Sequence, residues 1–250
     1  LYIMTDSEEY GEIPIEDQLN ARLVKASELY YRYGYDDALK YLDEHELPYI
    51  IDQKISNDLG LTVVNPDTGK AKIIYRGSDP GFLGGSGIVP NITDFHYDYL
   101  LMTGNEHFNP QYWRTKWLFE DAINTYDIEE CIGYSKGGNH CISLGDKYGI
   151  NTTTFNPAVS FNNIKETSGK GGGGSWTFGK LAYNYMFGNS KKNESSVKHK
   201  IYRVEYDPVS VGTKMITESS HPNVSVMTLK RNPEVGHSHK MGHFYNIQLR

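Results

Sequence analysis

Residues 132–140 read "IGYSKGGNH": an apolar run, then one serine between glycines, then a stretch able to wind into a helix. A serine hydroxyl is a weak nucleophile unless a base takes its proton and donors receive the charge that develops on the attacked carbonyl. A G-x-S-x-G elbow supplies both needs: its glycines permit a tight strand-to-helix turn that lifts Oγ above a sheet, and the helix start aims backbone N–H groups at the developing oxyanion. Gly133, Ser135, Gly137 and Gly138 fit that layout. In a chain with 25 glycines the pattern alone is weak evidence, but strand-like residues before it and helix-like residues after it are the setting it demands. A glycine-rich turn with an idle serine is the bland alternative.

The flanking segments predict an α/β protein with a mostly parallel sheet. "NPQYWRTKWLFEDAINTY" (109–126) has helical spacing, with Pro110 at its start; "IEECIGY" (128–134) reads as a strand and "KGGNHCISLGDKYG" (136–149) as a helix. "NTTTFNPAV" (151–159), "HKIYRVEYDPVS" (199–210) and "NVSVMTLKR" (223–231) supply further strand candidates. Upstream, "LTVVNPDTGKAKIIYRG" (61–77) predicts a hairpin turning at Asn65, Pro66, Asp67 and Gly69. Residues 16–46 carry apolar residues at three- and four-residue intervals, interrupted at Gly34, as two amphipathic helices that cover something apolar. "SDPGFLGGSG" (78–87) reads as a loop, and "ITDFHYDYLL" (92–101) has an ambiguous period.

Between the strand candidates lies a lid-like insert at about 160–199 with no regular core pattern. Its "SGKGGGGSW" tract (168–176) has the composition of a flexible linker, natural or engineered, and the following "WTFGKLAYNYMFG" (176–188) suits either a flap over an apolar site or a packed surface helix. The tract lacks the spacing and the leading strand of a phosphate loop.

Length and composition bound the rest. At 250 residues one domain is the expectation, residues 1–250 as a whole. A net charge of -6 without a basic face argues against nucleic-acid binding, and no run of about 18 apolar residues is present to span a bilayer. The two cysteines, Cys131 and Cys141, read as buried small apolar residues, since a bridge between them would cross the sharpest turn in the chain. A start at Leu1 instead of Met suits a processed product or a piece of a longer chain.

An elbow serine needs a histidine and an orienting acid, and in such folds they follow in the order Ser, Asp, His. Asp207, at the end of a strand and before Pro208, is the acid candidate; a carboxylate that only makes a turn is the alternative. "GHSHKMGH" (236–243) offers His237, His239 and His243. These three could also converge on zinc or copper, but no cysteine or carboxylate joins them at ligand spacing, so no metal and no cofactor is expected.

Five segments together, "IIYRGSDP", "GYSKGGNH", "TFNPAVS", "YDPVS" and "HSHKMGHFY", resemble the class 3 lipase family of α/β-hydrolases over roughly residues 50–250, especially bacterial relatives with a GxSKGG elbow. The resemblance implies a Ser-His-Asp triad cleaving carboxylic esters of acylglycerols or phospholipids, with Ser135 as nucleophile and Asp207 as acid. In such lipases the histidine opens an H-x-[ML]-x-x-aromatic stretch, which "HKMGHF" matches with His239 first; His243 is second choice and His237 third. The family's "RGS" supplies one oxyanion donor, so the Ser78 and Lys136 backbone N–H groups are expected there. The lysine after the nucleophile and the glycine-rich insert depart from the usual pattern and leave substrate class and lid behaviour open. The resemblance extends to partners: a lipid or phospholipid substrate met in transient membrane-surface contact, and, for a secreted bacterial antibacterial toxin, an immunity or inhibitor protein. The rivals are an inert hydrolase-fold binding module and a peptidase.

Overall fold

A computed structural model of the chain describes residues 12–78, 110–158, 197–207, 209–210 and 223–245. Two helices come first, α1 (Ile15–Tyr33) and α2 (Tyr35–Glu44), broken at Gly34, whose φ of 99° favours glycine. Then follow β1 (Ile50–Ile51), β2 (Gly60–Val64), β3 (Ala71–Tyr75), α3 (Pro110–Thr125), β4 (Ile128–Tyr134), α4 (Lys136–Tyr148), β5 (Thr152–Phe155), β6 (His199–Val204) and β7 (Val224–Leu229). A 3-10 turn, Met241–Phe244, comes last among the described residues. The loop and the ambiguous segment after Ser78, and the expected lid-like insert as far as residue 196, lie outside the described residues.

The described strands form one sheet in chain order, β1 to β7. β1, β2 and β3 pair antiparallel, and every pairing from β3 to β7 is parallel. The β2–β3 hairpin turns where Asn65 Oδ1 accepts the Asp67 N–H at 2.9 Å, the local bond that suits asparagine to turns.

Parallel strands laid down in sequential order load their right-handed crossovers onto a single face. α3 and α4 cover that face: Leu118, Phe119, Ala122 and Leu144 pack with Ala71, Ile73, Tyr75 and Ile128. The other face, carrying Leu61, Ile74, Ile132, Phe155 and Tyr202, is covered by Leu23, Val24, Ala38 and Leu42 of α1 and α2, with Met241 and Phe244 of the 3-10 turn joining them. That is the apolar surface the amphipathic pattern of residues 16–46 calls for.

The contact beneath α1 is not wholly apolar. Alternate residues of a strand share a face, so Lys72, Glu130, Thr153 and Lys200 join Ile74, Ile132, Phe155 and Tyr202 under the helix. Asp17 accepts from Lys200 Nζ at 3.0 and 3.1 Å and from the Tyr202 hydroxyl at 2.5 Å. Asn20 donates to Glu130 at 2.9 Å and accepts from Lys72 Nζ at 2.9 Å, while Lys72 lies 3.5 Å from Glu130 and the Thr153 hydroxyl donates to Glu130 as well. Burial pushes the Glu130 carboxyl above the usual range, with the Lys72 ammonium pulling against it. Apolar burial is non-directional; a polar layer whose members are costly to leave unpaired fixes the helix at one register.

One expectation is corrected. Cys131 and Cys141 are not free thiols; they form a disulfide with Cα atoms 5.5 Å apart, inside the range a bridge needs. The sharp turn between them is the cause, not an obstacle: it folds α4 back along β4 and brings the two positions together. Closing a loop with a separation of 10 residues contributes roughly 2.5 kcal/mol through the unfolded state. Cys131→Ala/Cys141→Ala is expected to lose about that much in urea denaturation, and reductant should then have no further effect on it. Equal midpoints for the parent and the double variant would refute the bridge.

Candidate active site

Ser135 is the one residue between the end of β4 and the start of α4, with φ 52° and ψ −120°. A side chain at positive φ costs of order 1–3 kcal/mol and persists only where its surroundings enforce it. Here they do: the Ser135 N–H donates to Phe155 O at 3.0 Å, and the Ser135 carbonyl accepts from Ala158 N at 2.9 Å and Asn139 N at 3.3 Å.

The glycines around it leave no room for a side chain. A Cβ on Gly133 would lie 2.4 Å from Gly137 O, and one on Gly137 would lie 2.4 Å from Arg76 O. Strand, helix and the end of β3 therefore meet backbone to backbone. Gly77 repeats the device above the serine, where a Cβ would come within 3.2 Å of Ser135 Cβ and 2.8 Å of the Tyr134 ring.

Three remote side chains converge at this edge, the carboxyl ends of the parallel strands. His239 Nε2 lies 2.9 Å from Ser135 Oγ, and His239 Nδ1 lies 2.9 Å from Asp207 Oδ1. Asp207, its side chain wholly buried, receives further hydrogen bonds from Val209 N at 3.2 Å, Ser210 N at 3.1 Å and the Ser210 hydroxyl at 2.5 Å. Burial alone would raise its pKa; the hydrogen bonds from His239, Ser210 and Val209 and the attraction of His239 overcome that and hold it below the usual carboxylate value. An ionised Asp207 makes the Nδ1–H tautomer of His239 the one that fits, which leaves Nε2 free to accept a proton from the serine.

Neither of the other two histidine side chains joins this chain of hydrogen bonds. His243 Nδ1 accepts the Asn232 N–H at 3.3 Å and its Nε2–H donates to His237 O at 3.1 Å, and burial pushes its pKa down. The side chain of His237 is exposed. Among the described residues no three His, Cys, Asp or Glu side chains group in a way that could hold a metal ion.

Of the expected oxyanion donors, Lys136 opens α4, where the first N–H groups have no carbonyl of their own helix to bond. Its side chain is buried and Nζ donates to Gln111 Oε1 of α3 at 3.2 Å. Ser78 follows Gly77, whose backbone passes over Ser135. Arg76 braces this segment: its Nη1 donates to Gly77 O at 2.7 Å, its Nε donates to Asp58 O, and its guanidinium sits 3.7 Å over the Tyr31 ring of α1.

Sequence reasoning missed two neighbours. Tyr134 stacks on the His239 ring at 5.1 Å between centroids, and its hydroxyl donates to the His239 carbonyl. Ser210 anchors Asp207. An aromatic at the variable position before an elbow serine and a serine three residues after the acid were the only available signals.

A mostly parallel sheet flanked by helices, with a strained serine at a strand-to-helix elbow and an acid and a histidine on later loops, is the α/β-hydrolase architecture. No family model matches the sequence, and no curated protein does. Solved structures similar to it include carboxyl esterase 2 of the mycorrhizal fungus Tuber melanosporum, at 16% identity and a TM-score of 0.27, with 48% of this chain and 49% of that chain covered. Another is the NocB thioesterase domain in covalent complex with a fluorophosphonate nocardicin G analogue, at 10% identity and a TM-score of 0.26, covering 65% and 75%. The chain thus spans about half the length of the esterase, and likeness at this level carries no argument about chemistry.

The packing at the elbow is directly testable. Gly137→Ala, with its new methyl driven onto the Arg76 and Tyr75 carbonyls, is expected to cost about 1–3 kcal/mol by chemical denaturation. A variant as stable as the parent would show that the three backbones have room to spare.

Proposed function

We propose that this protein is a serine carboxylic-ester hydrolase of the lipase or phospholipase A type, similar to class 3 lipases. The observation that carries the reading is the unbroken hydrogen-bond chain from Ser135 through His239 to Asp207. His239, oriented by Asp207, takes the Ser135 proton as Oγ attacks the ester carbonyl; the charge on the carbonyl oxygen is received by the Ser78 and Lys136 N–H groups. His239 then hands the proton to the leaving alcohol, giving an acyl-enzyme. Water, deprotonated by the same imidazole, releases the acid and restores the serine.

A lipid substrate is supported by what surrounds the site. Gln111, which bonds Lys136, belongs to the first turn of α3, and the same helix presents Trp113 and Trp117, 41% and 58% exposed and one turn apart. Indole rings favour the boundary between water and lipid head groups, so this helix suits transient contact with a membrane surface. The Cys131–Cys141 disulfide supports passage through an oxidising compartment, in keeping with a secreted protein.

Ser135→Ala is expected to lower ester turnover by on the order of 10⁶-fold and to abolish labelling by a fluorophosphonate probe, without loss of fold. Hydrolysis unchanged in that variant would remove the proposal, and folded parent protein that takes no label would favour an inert binding module. His239→Ala and His243→Ala, compared on a short-chain ester, separate the two imidazoles: the first should approach the loss seen in Ser135→Ala, the second should stay within about tenfold of the parent. The reverse order would overturn the assignment of the base.

A further inference from the structure

Asn156 stands directly after β5, in the "TFNPAVS" stretch, wholly buried and at φ 42°. Asparagine tolerates positive φ better than other side chains, and a backbone preference alone would account for its presence. Its side chain does more than that. Oδ1 accepts the Val204 N–H at 2.9 Å, at the end of β6 and three residues before Asp207. Nδ2 donates to the Ser238 carbonyl at 2.9 Å, one residue before His239. Its backbone N–H donates to Tyr202 O at 2.7 Å.

One amide therefore joins the segment that delivers the acid to the segment that delivers the imidazole, two stretches of chain more than thirty positions apart. The donor and acceptor types leave no choice of side chain of this size: Val204 offers an N–H and needs an acceptor, whereas Ser238 offers a carbonyl and needs a donor. Aspartate would place two acceptors there, and an apolar residue would strand both backbone groups at a buried position. Ser210 Oγ also lies 3.4 Å from Asn156 Oδ1, but its single proton goes to Asp207 Oδ2 at 2.5 Å, the shorter and charged acceptor.

We infer that Asn156 is a positioning residue: its carboxamide sets the separation between the Asp207 and His239 loops, and so the alignment of the imidazole between carboxylate and serine. It touches none of the reacting atoms. The consequence for turnover rests on the hydrolase reading above; the consequence for the Asp207–His239 hydrogen bond does not.

Asn156→Gly separates the two roles of the residue, because glycine keeps the positive-φ backbone at least cost while deleting the cross-link. Kinetics on a short-chain p-nitrophenyl ester, thermal unfolding, and the low-field Nδ1–H resonance of His239 in ¹⁵N-histidine-labelled protein are read together. The expected result is a folded variant with kcat lowered about 10- to 100-fold and KM within about twofold of the parent, as loss of alignment without loss of binding requires, and with the low-field resonance broadened or lost. A kcat within about twofold of the parent and an unchanged resonance would overturn the inference. If the parent neither hydrolyses esters nor takes a fluorophosphonate label, the hydrolase reading fails and the resonance decides alone: its loss in Asn156→Gly supports the positioning role, its persistence refutes it. A parent lacking the resonance refutes it too, there being no Asp207–His239 bond to position. Should Asn156→Gly not fold, Asn156→Asp, which keeps the acceptor for Val204 and loses the donor for Ser238, is read by the same criteria.

Discussion

The structure depends on one close approach, the contact of Gly133 with Gly137 at the top of β4. No Cβ fits between those backbones, so α4 can fold back along the strand that feeds it. From this constraint follow the positive φ of Ser135, the start of α4 immediately after it at the sheet edge, and the meeting of Cys131 with Cys141. The strain at Ser135 is local, but what opposes it is spread over β5, the turn after it and the disulfide. Relaxing the serine would break the Phe155 and Ala158 hydrogen bonds to its backbone together. A strained residue held by several independent neighbours persists at a fixed position, and a nucleophile needs just that.

The second constraint comes from the sheet. Laid out in chain order, its parallel strands place α3 and α4 on one side and leave the other to the N-terminal helices. α1 is more than a cover. Near its start Asp17 and Asn20 key it to Glu130, Lys72 and Lys200; toward its end Tyr31 supports Arg76, which in turn holds Gly77 over the serine. The helix farthest in sequence from the site thus reaches the segment that carries one of the proposed oxyanion donors.

Legibility followed the range of the interactions. The hairpin, the helix break at Gly34 and the elbow were readable because turn chemistry and glycine spacing are local. The bridge between Cys131 and Cys141 was not, because a strand and a helix separate the two positions and only the fold of the elbow brings them together. Three imidazoles stand within seven positions, His237, His239 and His243; the resemblance ranks His239 first, and the path of the loop puts it 2.9 Å from Ser135 while His243 turns to the His237 carbonyl. Asp17 and Asn20 look like ordinary polar positions near the start of a helix, since nothing nearby in sequence announces partners at 72, 130 and 200. Asn156 carried no signal for the same reason: both of its amide partners lie more than forty residues away.

Two of the three groups at the site, Asp207 and His239, stand on loops, and loops are the least rigid part of an α/β fold. A sheet fixes where each strand ends, but not how far apart the tips of two loops lie two or three residues later. At this edge that distance is set by side chains bonded to backbone: Asn156 to Val204 and Ser238, Tyr134 to the His239 carbonyl, Asp207 to the N–H groups of Val209 and Ser210. Backbone partners matter because a main chain cannot rotate away as a side chain can. Each such bond converts part of a loop into an extension of the sheet, and a carboxylate held by four donors has little freedom to leave the imidazole it orients. The preorganisation of the edge is therefore a property of buried polar groups two shells deep, which composition hides and the topology of the sheet does not by itself guarantee.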